Sequence, residues 1–208
     1  MNRLTLLIVI CFFCVIMPSF AQSSAHGQLY IQHESKLWLE GTSTLHDYSS
    51  KATKIVGTIE MDSLSAEMKF KNMESVLSKA EIIIPIKSMH SESEKMDNNM
   101  YEALKADDHP EILYKFMQDS IISDSNKDSL ILKAIGKLTV AGKENTTEMK
   151  VTLTKNNDGS IRVTGAKELF MTDFGVDPPS FMLGVLKTNN RVIVKFDLLL
   201  RSQNNNQQ

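Results

Sequence analysis

Apolar and polar residues alternate with a period of two along most of this chain, as they do in strands that bury one face and turn the other to solvent. Within residues 28–40, Leu29, Ile31, Leu37 and Leu39 hold odd positions, and the even ones are mostly polar apart from Tyr30 and Trp38. Ile55, Ile59 and Met61 alternate with Lys54, Thr58 and Glu60. Ala80, Ile82, Ile84 and Ile86 alternate with Lys79, Glu81 and Lys87. Pro85 in that run predicts an edge or a bulge, because proline brings no N–H to a ladder. The second half continues with Ile112, Tyr114 and Phe116, then Leu130, Leu132, Ala134, Leu138 and Val140, then Met149, Val151 and Leu153. The turn Asn156, Asn157, Asp158, Gly159 leads to Ile161 and Val163 and predicts a hairpin. Val192, Val194, Phe196 and Leu198 make the last run. The runs amount to about eight strands, and eight antiparallel strands that each bury one face can close into a barrel without exposed edges.

One segment departs from this period. Between residues 91 and 105, Met96, Met100, Ala103 and Leu104 fall on one face of a helix of about three turns. Ser91 with Glu94 fits a capping box at its start, and residues 107–110, ending in Pro110, predict its end. Such a helix packs on or over the barrel. The tail at residues 202–208 is polar, has nothing to bury and reads as disordered.

The N-terminus adds a destination. Arg3, an apolar run from Leu4 to Met17, then Pro18, Ser19, Phe20 and Ala21 predict a secretory signal peptide over residues 1–21. The run is shorter than the ~20 residues that span a bilayer comfortably. The expected mature domain is therefore residues 22–201, exported to the periplasm or beyond the cell, with no stable membrane span after cleavage. Cys11 and Cys14 both lie in the segment to be removed, which leaves no thiol for a disulfide, a metal site or a nucleophile. The formal charge of −2 comes without a basic face, which argues against a nucleic-acid partner.

An eight-stranded barrel is just wide enough to be filled by side chains or to hold one small ligand. If it is hollow, the candidate lining is Leu37, Leu39, Ile82, Ile84, Met96, Met100, Tyr114, Phe116, Leu138, Val151, Phe174, Val194 and Phe196. Met89, Met171 and Met182 add flexible, polarizable side chains suited to an adaptable cavity or to filling gaps in a core. His46, Asp47, His109 and Asp173, with Asp177 nearby, fall at presumed loop ends and are candidate polar ligand contacts at the tunnel mouth. The plainer reading is that His46 and Asp47 shape a turn and that His109 and Pro110 stop the helix. Neither an H-E-x-x-H pair nor a G-x-S-x-G elbow is present, so no metal, cofactor or catalytic residue is expected. Two alternatives stay open: an exported enzyme using His46, Asp47 and His109, with or without a metal, and a filled barrel whose outer face, including Tyr30 and Trp38, meets a partner.

Six pieces of sequence, in order, carry a resemblance. They are GTSTLHD at residues 41–47, the strand at 80–86, Met96 and Asp97 followed by YEALKA at 101–106, His109 and Pro110 before residues 112–116, GKLTVAG at 136–142, and TDFGVDPP at 172–179. Through them the chain resembles the YceI-like family of exported bacterial lipocalin-like proteins. The resemblance covers nearly everything from Leu37 to Leu199. It implies an all-β, eight-stranded antiparallel barrel with a long hydrophobic tunnel that binds, stores or transports an isoprenoid or fatty amphiphile. Family members differ in ligand, and fold alone does not set function. A homodimer is left open.

Overall fold

The structure is a computed structural model that describes residues 27–61, 75–126, 129–181 and 186–202. The expected signal peptide, Met182 and residues 203–208 lie outside the described residues, and Ser202, expected in the tail, ends the last strand. The described strands are β1 (Gly27–Ile31), β2 (Lys36–Ser43), β3 (Asp47–Ala52), β4 (Val56–Met61), β5 (Leu77–Pro85), β6 (Met89–His90), β7 (Glu111–Asn126), β8 (Ser129–Val140), β9 (Lys143–Lys155), β10 (Ile161–Phe170), β11 (Ser180–Phe181) and β12 (Leu186–Ser202). One α-helix, α1 (Glu94–Ala103), stands between β6 and β7.

All pairings are antiparallel, and they close on themselves. Strand β12 pairs with β10 on one side; on its other side it pairs with β2 through its first part and with β1 through its last residues. Strands β3 and β4 pair with β2 and β1 respectively, and β6 and β5 pair in turn with β3 and β4. Thus β1 with β2, β3 with β4, and β5 with β6 are each one stave of the barrel broken by a kink. With β7, β8, β9, β10 and β12 they make the eight expected staves.

The kinks have local causes. Between β1 and β2, the Gln32 N–H donates to Leu199 O at 2.8 Å and the Leu199 N–H donates to Ser35 Oγ at 2.9 Å, so the break stays docked on β12. Pro85 ends β5, and the chain takes a 3-10 turn over Ile86–Ser88. There the Ile86 N–H donates to Pro110 O at 2.8 Å. The Asn156–Gly159 turn is present as expected, with Gly159 at φ +80°, and joins β9 to β10.

Helix α1 lies at the end of the barrel where β2 and β8 finish and β3, β7 and β9 begin. Its apolar side packs the half-buried Met100 against Leu37, Ile84 and Met89, and the half-buried Ala103 and Leu104 against Phe174, Val176 and Ala141. Its ends differ from expectation. Ser93 is the N-cap, accepting from the Met96 N–H at 3.3 Å, while the Ser91 hydroxyl and N–H both donate to Asp97 Oδ1 at 2.6 Å. At the other end Lys105 is left-handed at φ 54°. The Ala106 N–H then donates to Tyr101 O at 2.9 Å and the Lys105 N–H to Glu102 O at 3.0 Å. This Schellman closure satisfies the last carbonyls and stops the helix several residues before Pro110.

The end of the barrel opposite α1 is solid. Leu29, Met61, Leu130, Leu132, Leu153, Ile161 and Leu200, all from alternating inward positions, are each 2 % exposed or less and fill the lumen. Each such side chain stabilises the fold by about 1.5–3 kcal/mol relative to an exposed one.

Candidate functional site

Above that floor the barrel is hollow. A cavity of about 310 Å³ extends from Ile59, Ala80, Val163 and Leu198 up to the underside of α1 and the 3-10 turn Met171–Phe174. All thirteen apolar residues expected to line a tunnel border this cavity, together with Met89 and Met171. Alternation explains this directly: on β2, Leu37 and Leu39 face in, while Trp38 and Glu40 between them form an outer-face hydrogen bond of 2.8 Å.

Glycines keep the lumen open. The rings of Tyr48, Tyr114 and Phe196 rest against Gly41, Gly136 and Gly165 of neighbouring strands, where a Cβ would stand only 2.3, 2.5 and 2.5 Å from the nearest ring atom. Each ring can lie against the wall because no side chain occupies that place. Burial pushes the Tyr48 and Tyr114 hydroxyls up to about 12, so both are neutral donors at ordinary pH. Tyr48 Oη, Tyr114 Oη and Ser50 Oγ are buried without a hydrogen-bond partner among the described residues.

The four polar residues expected at the mouth do not border the cavity. His46 and Asp47 are exposed in the β2–β3 turn, where Ser43 Oγ accepts from the N–H groups of Leu45 and His46 at 3.2 Å each. The His109 imidazole packs on Gly142 of the β8–β9 turn. That turn needs positive φ at Ala141 (50°) and Gly142 (80°), as tight hairpin turns do. Asp173 is exposed, and its carbonyl accepts from Asn145 Nδ2 at 2.8 Å. These side chains shape turns and are not gathered into one site. Among the described residues no three histidine, cysteine or acidic side chains are placed to hold a metal ion.

Sequence reading missed Tyr48, Ser50 and Lys167 on the cavity wall. Strand β3 turns Tyr48, Ser50 and Ala52 inward and Asp47, Ser49 and Lys51 outward, a contrast too weak for a hydrophobic period to show. Lys167 follows Val163 and Gly165 on the inner face of β10, and is the single charged residue among the described residues lining the cavity.

The YceI-like domain model matches residues 29–200. The chain belongs to the YceI-like family. Its fold is similar to that of BcnA from Burkholderia cenocepacia, with a TM-score of 0.60 at 16 % identity over 79 % of this chain and 95 % of that one. A polyisoprenoid-binding domain from Saccharophagus degradans, implicated in plant cell wall breakdown, gives a TM-score of 0.62 at 10 % identity over 84 % of this chain and 98 % of that one. The Campylobacter jejuni YceI protein gives 0.56 at 14 % identity over 74 % of this chain and 85 % of that one. At such identities the likeness is one of fold. No curated protein matches the chain. Among the described residues of this YceI-like barrel, no helix is long and apolar enough to cross a membrane.

Proposed function

We propose that this YceI-like protein is an exported carrier that holds an isoprenoid or other long-chain amphiphile inside its barrel and performs no chemistry on it. The carrying observation is the cavity itself: one end of the lumen is packed solid, while the other is hollow and lined almost wholly by apolar side chains. Water in such a space makes few hydrogen bonds, whereas each methylene that replaces it gains about 0.8 kcal/mol. Flexible Met89, Met96, Met100 and Met171 on the wall suit a chain of irregular outline. The similarity to a domain named for polyisoprenoid binding supports the same reading.

The thirteen lining residues are the expected contacts of the chain portion. His46, Asp47, His109 and Asp173 drop out of the contact set, because they do not border the cavity. Export rests on the signal-like residues 1–21. Native mass spectrometry of the purified protein, followed by organic extraction, tests the reading. A stoichiometric lipid adduct is expected, and a protein that stays free of ligand after incubation with polyprenyl and fatty lipids overturns it.

A further inference from the structure

Resting on the carrier reading, we propose that the ligand's polar group sits inside the barrel and is a carboxylate: an isoprenoid or long-chain acid whose oxygens meet Lys167, at the level of the wall that also holds Ser50 and Tyr48. The register places these residues close in height. Lys167 lies opposite Val194, Val194 opposite Leu39, and Leu39 opposite Ser50, so one ring of the wall joins the lysine to the serine across four strands. The next ring towards α1 is Leu169, Val192, Gly41 and Tyr48.

The surroundings are apolar above and below. Leu169, Phe174 and Val176 close over the ring, and Val163 and Leu198 lie beneath it. A lysine offers three donors and no acceptor. Among the described residues Lys167 has neither an ion pair nor a side-chain hydrogen bond, and the hydroxyls of Ser50 and Tyr48 are buried without a partner. Buried hydroxyls are nearly always hydrogen-bonded; Lys167 is half-buried, and a ligand chain that fills the cavity beside it takes water from its ammonium and leaves a cation that is costly until it is paired. What is missing here is an acceptor carrying negative charge. One lysine balances one charge, which fits a carboxylate; a diphosphate would bring more charge than it balances, and an alcohol would leave it unpaired.

The test compares retinoic acid with retinol, two ligands that share an isoprenoid chain and differ in the head group, by fluorescence titration of the full-length protein and of Lys167→Met. Methionine keeps the length and suits a wall already rich in methionine, and circular dichroism checks that the variant folds. The unsubstituted protein is expected to bind the acid at least ~10-fold more tightly than the alcohol, the size of one charge-assisted contact. Lys167→Met abolishes that preference and leaves retinol binding intact, while Lys167→Arg preserves the preference. Equal binding of acid and alcohol by the unsubstituted protein, or an unchanged preference in a folded Lys167→Met, overturns the carboxylate proposal while the carrier reading stands. Binding of neither ligand overturns the carboxylate proposal, and the incubation with polyprenyl and fatty lipids decides the carrier reading separately. Because the acid-to-alcohol ratio is read first on the unsubstituted protein, a misfolded variant does not shelter the idea.

Discussion

The two ends of this barrel are built from the same eight staves and behave oppositely. At the floor, inward positions carry Leu29, Met61, Leu130, Leu132 and Leu200, whose side chains meet across the lumen. Towards α1, one stave kinks at residues 86–88, and three glycines let aromatic rings lie against the wall, so the same lumen stays empty. Hollowness therefore comes from where bulk is placed more than from a shortage of it. The floor supplies stability that the cavity end does not have to provide.

Truncation separates the two ends most sharply. Leu132→Ala removes a fully buried side chain from the floor, where close-packed neighbours cannot collapse into the space. A loss of about 2–5 kcal/mol is expected in urea unfolding. Leu39→Ala removes the same atoms from a side chain that borders empty space, and a loss of less than about 2 kcal/mol is expected, since fewer contacts disappear. Equal losses at the two positions would mean that the cavity end is as tightly packed as the floor.

Filling a glycine sharpens the contrast from the other side. In Gly41→Ala the new Cβ would stand 2.3 Å from Tyr48 Cζ, so the ring must leave the wall and enter the lumen. We expect a destabilisation of about 1–3 kcal/mol from overpacking, together with a reduced load of bound lipid in native mass spectrometry. Gly159→Ala is the control. Nothing lies within 4 Å of its Cβ position, although its φ of +80° disfavours a side chain, so stability falls without loss of ligand capacity.

Much of this architecture was legible in the residues, and what was not has a physical reason. Alternation identified the strands, and because it assigns each side chain to a face, it also named residues of the cavity wall such as Leu37, Ile84 and Phe116. It could not show that Leu132 and Leu138, six residues apart on one face of β8, belong to a solid floor and a hollow chamber respectively, because that depends on what stands across the barrel. The stave formed by β1 and β2 read as one run, since the kink preserves the parity of inward positions. Ser91 and Ser93 both resemble caps in sequence, and the choice between them followed from Asp97, which engages Ser91 from within the helix. Polar residues at loop ends drew attention to the mouth, whereas Lys167, one lysine in a strand of mixed composition, gave no periodic signal.

The smallest expected effect lies where the hollow end is closed. Asp97 is buried at the start of α1, accepting from Ser91 through both N–H and hydroxyl and lying 3.1 Å from His90 Nδ1. Burial alone would push its carboxyl up, but the hydrogen bonds from Ser91 and His90 together outweigh this and hold it below the ordinary carboxylate value. A group whose pKa is depressed by folding stabilises the fold fully above its unfolded pKa, here ~3.9, and loses that contribution as pH falls through the lower folded value. The helix should therefore loosen selectively below about pH 4 while the floor holds. Hydrogen exchange on α1 amides reads this locally, after correction for the intrinsic pH dependence of exchange. Asp97→Asn removes the charge but keeps the shape, and it should raise α1 exchange roughly tenfold near neutral pH and remove the acid-dependent loosening. The amides of β8 facing the floor should not respond. If they exchange faster in step with α1, the lid and the floor unfold as one unit, and the division of the barrel into an anchored end and an openable one fails.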